Sequence, residues 1–242
     1  MGSMFEDNYS IAPLSRSHIF PNPRYASDEG LLAFGGDLSA NRLLTAYRKG
    51  IFPWYNDDDP ILWWSPNPRL LLYPEDFKVS KSFRRTLRKD RFEVKFDNAF
   101  KEVITNCKEV KRDGQDGTWI VDEMQEAYIE LFEMGFAHSV EVYEEGKLVG
   151  GLYGIAMGRA FFGESMFSLR SDTSKVAFKA LSDLLHLRGY DFIDCQVKNS
   201  HLVRMGAIEV SRDRFLDELE EALGKSSDLG SWSKFSWEYS DG

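Results

Sequence analysis

Glu164 stands in the run Phe161-Phe162-Gly163-Glu164-Ser165-Met166-Phe167-Ser168, an acid among aromatic and aliphatic neighbours. If this run is a strand, alternate residues share a face, and Phe162, Glu164, Met166 and Ser168 point the same way. An ionised carboxylate in such surroundings must be paired or have its pKa raised. That suits it to hold a cation or handle a proton; a structural glutamate satisfied by one neighbour is the alternative. Asp194 and Gln196 lie in Phe192-Ile193-Asp194-Cys195-Gln196-Val197. They project from one face of a second strand, with Ile193, Cys195 and Val197 on the other. Should the polar faces meet at one pocket, two carboxylates and a carboxamide would form a small polar cluster in an apolar cleft. That is the usual make-up of a ligand site.

Other chemistries find little support. His18, His138, His186 and His201 are isolated, and Cys107 and Cys195 lie far apart. No metal site is expected, and the cysteines read as reduced thiols. A G-x-S-x-G elbow, a Walker lysine loop and a strand-linked G-x-G-x-x-G are all missing. Hydrophobic residues make up 43% and charged residues 29%, as in an ordinary globular protein, with aromatics at a high 14%. No apolar run approaches the roughly 20 residues of a membrane span, and no secretory leader pattern opens the chain. A cytoplasmic protein without membrane contact is the expectation. The net charge of −9 argues against indiscriminate binding to nucleic acid. The charge is uneven, however. Residues 78–91 hold seven basic side chains against Asp90, a net of +6 that leaves −15 for the rest. A single polyanion-docking place fits that distribution; a solvated helix face is the alternative.

The elements that must position these residues follow from patterning. In the Pro-, Gly- and Trp-rich first third, Ser39 opens a helix with Leu43, Leu44 and Tyr47 at helical spacing, and Gly50 closes it. Loops and short strands are expected through Pro60, Pro66, Pro68 and Pro74. Over 78–89 a helix would align Lys81, Arg84, Arg85 and Arg88 on one face. From about residue 119 the pattern regularises: helix 122–134, strands 137–143, 147–157 and 160–167, helix 173–188, strand 192–197 and helix 213–223. Helix, three-stranded meander, helix, strand, helix is the order of an acetyltransferase-like (GNAT) core. The expected fold is therefore α+β, with a small N-terminal α+β domain (1–75) and a GNAT-like catalytic domain (76–242). Ser168-Leu169-Arg170-Ser171-Asp172 stands where acetyltransferases carry a pyrophosphate-binding loop, so acetyl-CoA is not expected as donor.

Beyond these patterns, the blocks GLLAFGGDLS, AYRKGIFPW, ILWWSPNPR, GTWI, AHSVEVY, LVGGLYG, FFGESMFS and DCQ occur in order from about Phe20 to Phe215. In concert they resemble the leucyl/phenylalanyl-tRNA–protein transferase family. The resemblance implies transfer of Leu, Phe or Met from aminoacyl-tRNA to proteins beginning with Arg or Lys. Such transfer creates an N-terminal degradation signal, the N-end rule, and is expected to need no metal or organic cofactor. It implies that Asp194 and Gln196 act on the attacking amine, with Asp194 polarising Gln196 or serving as base. Gln196 could instead contact the oxyanion. Glu164 would hold the α-amino group of the donor or help bind the cationic acceptor. Tyr47, Trp54, Trp119, Tyr128, Phe161, Met166 and Ser168 match positions that line an apolar pocket and cradle the terminal adenosine, with Leu152 and Leu181 completing its wall. Lys81, Arg84, Arg85, Arg88 and Lys89 would meet the acceptor-stem phosphates. A monomer is expected. Two rival readings remain: a GNAT-like acyltransferase with a thioester donor, and a non-catalytic tRNA-binding module. The segment after Leu223, with Trp232 and Trp237, matches no block and either packs on the core or lies disordered.

Overall fold

The computed structural model describes residues 11–15, 18–56, 58–110, 120–227 and 229–240. Two sheets organise it. The smaller is built from β1 (Ala12–Leu14), β2 (Leu31–Gly35), β3 (Phe52–Pro53) and β4 (Leu62–Trp64), in the order β1-β2-β4-β3, with α1 (Ala40–Tyr47) between β2 and β3. Next along the chain come β5 (Arg69–Leu72), α2 (Lys81–Leu87), β6 (Glu93–Phe96), α3 (Phe100–Glu109) and α4 (Asp122–Glu133). The meander β7 (Ala137–Glu144), β8 (Lys147–Met157) and β9 (Ala160–Ser168) leads to α5 (Thr173–Leu187) and β10 (Phe192–Gln196). Then α6 (Ser200–Arg204), β11 (Ile208–Val210) and α7 (Arg212–Leu223) follow. The larger sheet runs β11-β5-β10-β9-β8-β7-β6, and β10 lies parallel to β9.

The meander, α5 and the parallel β10 reproduce the expected acetyltransferase-like order in an α+β fold. Local causes are visible in the residues. Glu145 and Gly146 both take positive φ in the two-residue turn between β7 and β8. Met124, Ala127, Tyr128 and Leu131 form the buried stripe of α4, and Gly135 at φ +80° ends that helix. Ser80 caps α2 by accepting a hydrogen bond from the Phe83 amide. Both faces of the large sheet are covered. One core joins it to α1, α3, α4 and α7 through Tyr47, Val103, Tyr128 and Phe215; the other joins it to α2 and α5 through Phe83, Val176 and Leu181.

One strand lies where patterning did not place it. β5 precedes residue 75, the expected end of the small domain, yet it pairs antiparallel with both β10 and β11 in the larger sheet. Its four residues are buried, as a strand flanked on both edges and covered on both faces must be. The sheets therefore change over between Trp64 and Arg69. The C-terminal segment, left open between packing and disorder, packs. Trp232 is 2% exposed, donates its backbone amide to Asp97 Oδ2 at 2.6 Å and stacks on His138 with ring centroids 3.7 Å apart. Further along, Trp237 Nε1 donates to Asp183 of α5 at 2.9 Å.

Two bulges decide where the site forms. Pairing of β8 with β9 shifts between Tyr153↔Ser165 and Gly154↔Gly163, leaving Glu164 without a partner across the ladder. A Cβ on Gly154 would lie 2.2 Å from the Phe162 carbonyl oxygen, so only glycine fits beside the bulge. The extra residue overturns the expected common face of Phe162, Glu164, Met166 and Ser168. Phe162 packs in the core with Tyr47, at a centroid distance of 5.1 Å, whereas Met166 packs on the α5 side. The second bulge lies in β10, where Asp194↔Leu71 is followed by Gln196↔Leu70 and Cys195 is the extra residue.

Candidate active site

β9 and β10 pair from Phe192↔Ala160 only as far as Asp194↔Phe162. Past that point the strands separate, and a cleft of about 490 Å³ occupies the gap. Gly163, Glu164, Ser165 and Met166 form one lip, and Cys195, Gln196 and Val197 the other. Phe178 and Leu181 of α5, with Leu152 and Ile193, supply an apolar wall. Phe52, Pro53 and Trp54 close the cleft from the small sheet. Trp54, 40% exposed, lies beside Trp64, whose indole N–H donates to the Trp54 carbonyl at 2.7 Å. An apolar chamber with few polar groups and a flat aromatic rim suits a ligand with a greasy side chain and a ring to stack.

Of the expected polar trio, Glu164 and Gln196 meet in the cleft and Asp194 does not: with Cys195 as the extra residue of β10, the alternation that put Asp194 and Gln196 on one face breaks, and Cys195, Gln196 and Val197 line the cleft together. Gln196 Nε2 donates to Glu164 Oε1 at 3.1 Å, and the Tyr128 hydroxyl donates to Oε2 at 2.8 Å. Behind Tyr128, its hydroxyl also meets that of Tyr47. Burial raises the Glu164 pKa to about 7, against the hydrogen bonds from Tyr128 and Tyr47 that favour the anion; Asp194 pushes it up and Arg69 draws it down. The two tyrosines are themselves raised, by burial first and then by the Glu164 charge, so they remain hydroxyl donors. Glu141 is raised to about 7 by burial as well, but it lies outside the cleft on the Ser139 hydroxyl and the Asn98 and Ala99 amides; Glu164 has the shift and a place in the cleft together, which makes it the candidate functional group. Burial also raises the Cys195 thiol, and it lowers His201, with Lys175 and Arg204 adding to the effect. Both line the cleft as neutral groups at neutral pH.

Asp194 is 0% exposed and faces away from the cleft surface, into a paired grip from Arg69: Nε to Oδ1 at 2.8 Å and Nη2 to Oδ2 at 2.6 Å. Its Oδ1 also accepts the backbone N–H of Gln196 at 2.9 Å. Gln196 holds φ +64°, a left-handed conformation that a non-glycine residue adopts only when its surroundings impose it.

The remaining expected residues divide by position. Trp54, Leu152, Met166 and Leu181 line the cleft; Tyr47 and Tyr128 stand behind Glu164 rather than on the surface. Phe161 faces the other way and packs in the α5-side core near Trp232. Ser168 is exposed at the end of β9, where its hydroxyl donates to the Arg170 carbonyl at 2.8 Å and meets Thr173 Oγ1 at 2.9 Å. Trp119 lies outside the described residues. Lys81, Arg84, Arg85, Arg88 and Lys89 are on and just after α2, and all but Lys81 follow the capped first turn. That helix is tied to the start of α5 by Thr86, which donates to Asp172 Oδ2 at 3.1 Å. All five basic residues are exposed. Sequence reasoning gave no role to Arg69, Phe178 or His201. Arg69 carried a usable signal, a cation heading the apolar run Arg69-Leu70-Leu71-Leu72 that must find an acid when buried.

Among the described residues no His/Cys/Asp/Glu group could hold a metal ion, and no helix is long and apolar enough to cross a membrane. A family model described as leucyl/phenylalanyl-tRNA protein transferase matches residues 71–220, and one for that transferase's N-terminal domain matches 36–67. The chain belongs to this family. Proteins named leucyl/phenylalanyl-tRNA–protein transferase show 53% identity in Desulfatibacillum aliphaticivorans (92% of this chain, 96% of that protein) and 56% in Syntrophobacter fumaroxidans (90% and 94%). A third, from Thermodesulfovibrio yellowstonii, is 54% identical over 89% of this chain and 88% of its own length. The two matched regions meet between residues 67 and 71, where the chain passes from the small sheet to β5.

Proposed function

We propose that this transferase moves Leu, Phe or Met from aminoacyl-tRNA onto the N-terminal Arg or Lys of an acceptor protein, forming a peptide bond and releasing the tRNA. The observation that carries the reading is the cleft between β9 and β10, where a carboxylate titrating near pH 7 and a carboxamide meet an apolar chamber. An aminoacyl ester is activated, so the protein must orient a neutral amine on the carbonyl, receive a proton and meet the oxyanion. The acceptor α-amine has a pKa of about 7.7–8.0, and little help is needed to deprotonate it. Glu164, ionised above about pH 7, meets the acceptor amine and takes the proton that it loses on attack, which passes to the tRNA 3′-oxygen as the ester C–O bond breaks. Gln196 turns its carboxamide to the reacting carbonyl. Asp194, with both oxygens engaged by Arg69, is too occupied to be the base and acts through Gln196.

Leu152, Met166, Phe178 and Leu181 then take the donor side chain, and Trp54 stacks on the terminal adenosine. The basic face of α2 follows the acceptor stem. The thioester-donor reading loses ground at α5: Asp172 puts a carboxylate, paired with Lys175 at 2.6 Å, beside the helix start where a pyrophosphate would dock. The non-catalytic reading leaves the titrating Glu164 without a use. Incubation with Leu-tRNA and an Arg-initiated peptide tests the proposal: the peptide gains one leucine, while Ile-tRNA gives ~10- to 200-fold less, the ~1–3 kcal/mol that a shape misfit of methylene scale is worth. Peptide left unextended, or equal transfer from Ile-tRNA, sinks it.

A further inference from the structure

The geometry points to Arg69 as a positioning residue for aminoacyl transfer, one that joins two walls of the cleft and, through Asp194, holds Gln196 in its working conformation. The inference rests on the transfer reading above and extends it to a residue that touches neither donor nor acceptor. Arg69 is 1% exposed. Its guanidinium divides among three elements. Toward β10 it makes the paired contact with Asp194. Toward the small sheet its Nη1 donates to the Gly50 carbonyl at 3.2 Å, and the group lies 4.9 Å from the Phe52 ring, whose side chain lines the cleft two residues before Trp54. The Phe215 ring of α7 also packs on the guanidinium, at 4.3 Å.

A planar cation with five donors is suited to this division, and lysine is not. The consequence for chemistry runs through one carboxylate. Asp194 Oδ1, fixed by Arg69 Nε, accepts the Gln196 amide and so stabilises φ +64° at that residue. From this conformation Gln196 reaches Glu164. If the carboxylate swings away, Gln196 relaxes toward an ordinary backbone and its carboxamide leaves the cleft. Charge acts along the same line. Glu164 is faced by Tyr47 of α1, Tyr128 of α4, Asp194 of β10 and Arg69 of β5; Asp194 pushes its pKa up and Arg69 draws it down.

The test uses the full chain with R69K, R69Q, D194N and the charge-balanced R69Q/D194N, which keeps a folded comparison if R69Q strands a buried carboxylate. Single-turnover transfer from Leu-tRNA to an Arg-initiated peptide is measured against pH and donor concentration. R69K is expected to lose ~100-fold at saturating donor, the scale of a small misplacement, with donor KM little changed. The pH midpoint should rise in R69Q and fall in D194N, which a purely structural role would not produce. The double variant should lose no more than the weaker single one, because both act on one residue. A folded R69Q/D194N as fast as the unaltered chain, losses that multiply in the double variant, or unmoved midpoints overturn the inference. An unaltered chain that extends no peptide overturns the transfer reading and the inference with it.

Discussion

At the scale of single residues, Glu164 combines two effects that usually travel together and here separate. Its folded pKa of about 7 stands above the ordinary glutamate value of 4.5, so burial favours the neutral form. The sign follows from linkage: its contribution to stability is full below about pH 4.5 and is lost as pH rises through 7. Glu164→Gln, which removes the buried charge, should therefore stabilise the fold by up to about 3 kcal/mol at pH 8 and by less than about 1 kcal/mol at pH 5. The same variant should lose at least ~100-fold in transfer rate. Melting at the two pH values, alongside single-turnover rates, checks both; a variant less stable at pH 8 and still active would assign Glu164 to structure. In the unaltered chain the rate should fall as pH drops below about 7. The trio Glu164, Asp194 and Gln196 was legible because polar residues in apolar runs are conspicuous. Their unequal roles were not, because the partner that occupies Asp194 comes from Arg69, 125 residues away.

Elements were legible where their signal is local. α4, α5 and the meander follow from amphipathic spacing and from glycines at turns. β5 falls in a stretch expected to hold loops and short strands, but its place in the larger sheet was not legible, because a short run between prolines shows no partner until β10 and β11 are known. The bulge at Glu164 was missed for a similar reason. Alternation assumes an unbroken ladder, and only the crowding between Gly154 and the Phe162 carbonyl shows that the ladder breaks. For α2, exposure of its basic face leads to a measurable outcome. Lys81→Gln with Arg85→Gln should raise donor KM and flatten the log–log dependence of affinity on salt by about one unit for each phosphate no longer neutralised, with the rate at saturating donor retained. An unchanged slope would leave the helix a solvated surface.

Across the whole molecule, the C-terminal segment is a strap over the α5 side of the large sheet. Trp232 is its anchor, held by Asp97 and His138. Trp232→Ala should cost about 3–5 kcal/mol and lower the melting midpoint by roughly 10 °C, while the cleft, which Trp232 does not line, keeps its transfer rate at room temperature. Differential scanning calorimetry beside the transfer assay separates the two. Because β5 is inserted between β10 and β11, the ladder beneath the cleft joins an early part of the chain to a late one. On the ribosome, Arg69 leaves the exit tunnel long before Asp194 is made, and the strand that carries it waits unpaired on both edges. A nascent transferase therefore has no working cleft until nearly all of it has been translated. Truncated products lacking β10 should bring no stray transfer activity, and their open strand edges make them targets for chaperones.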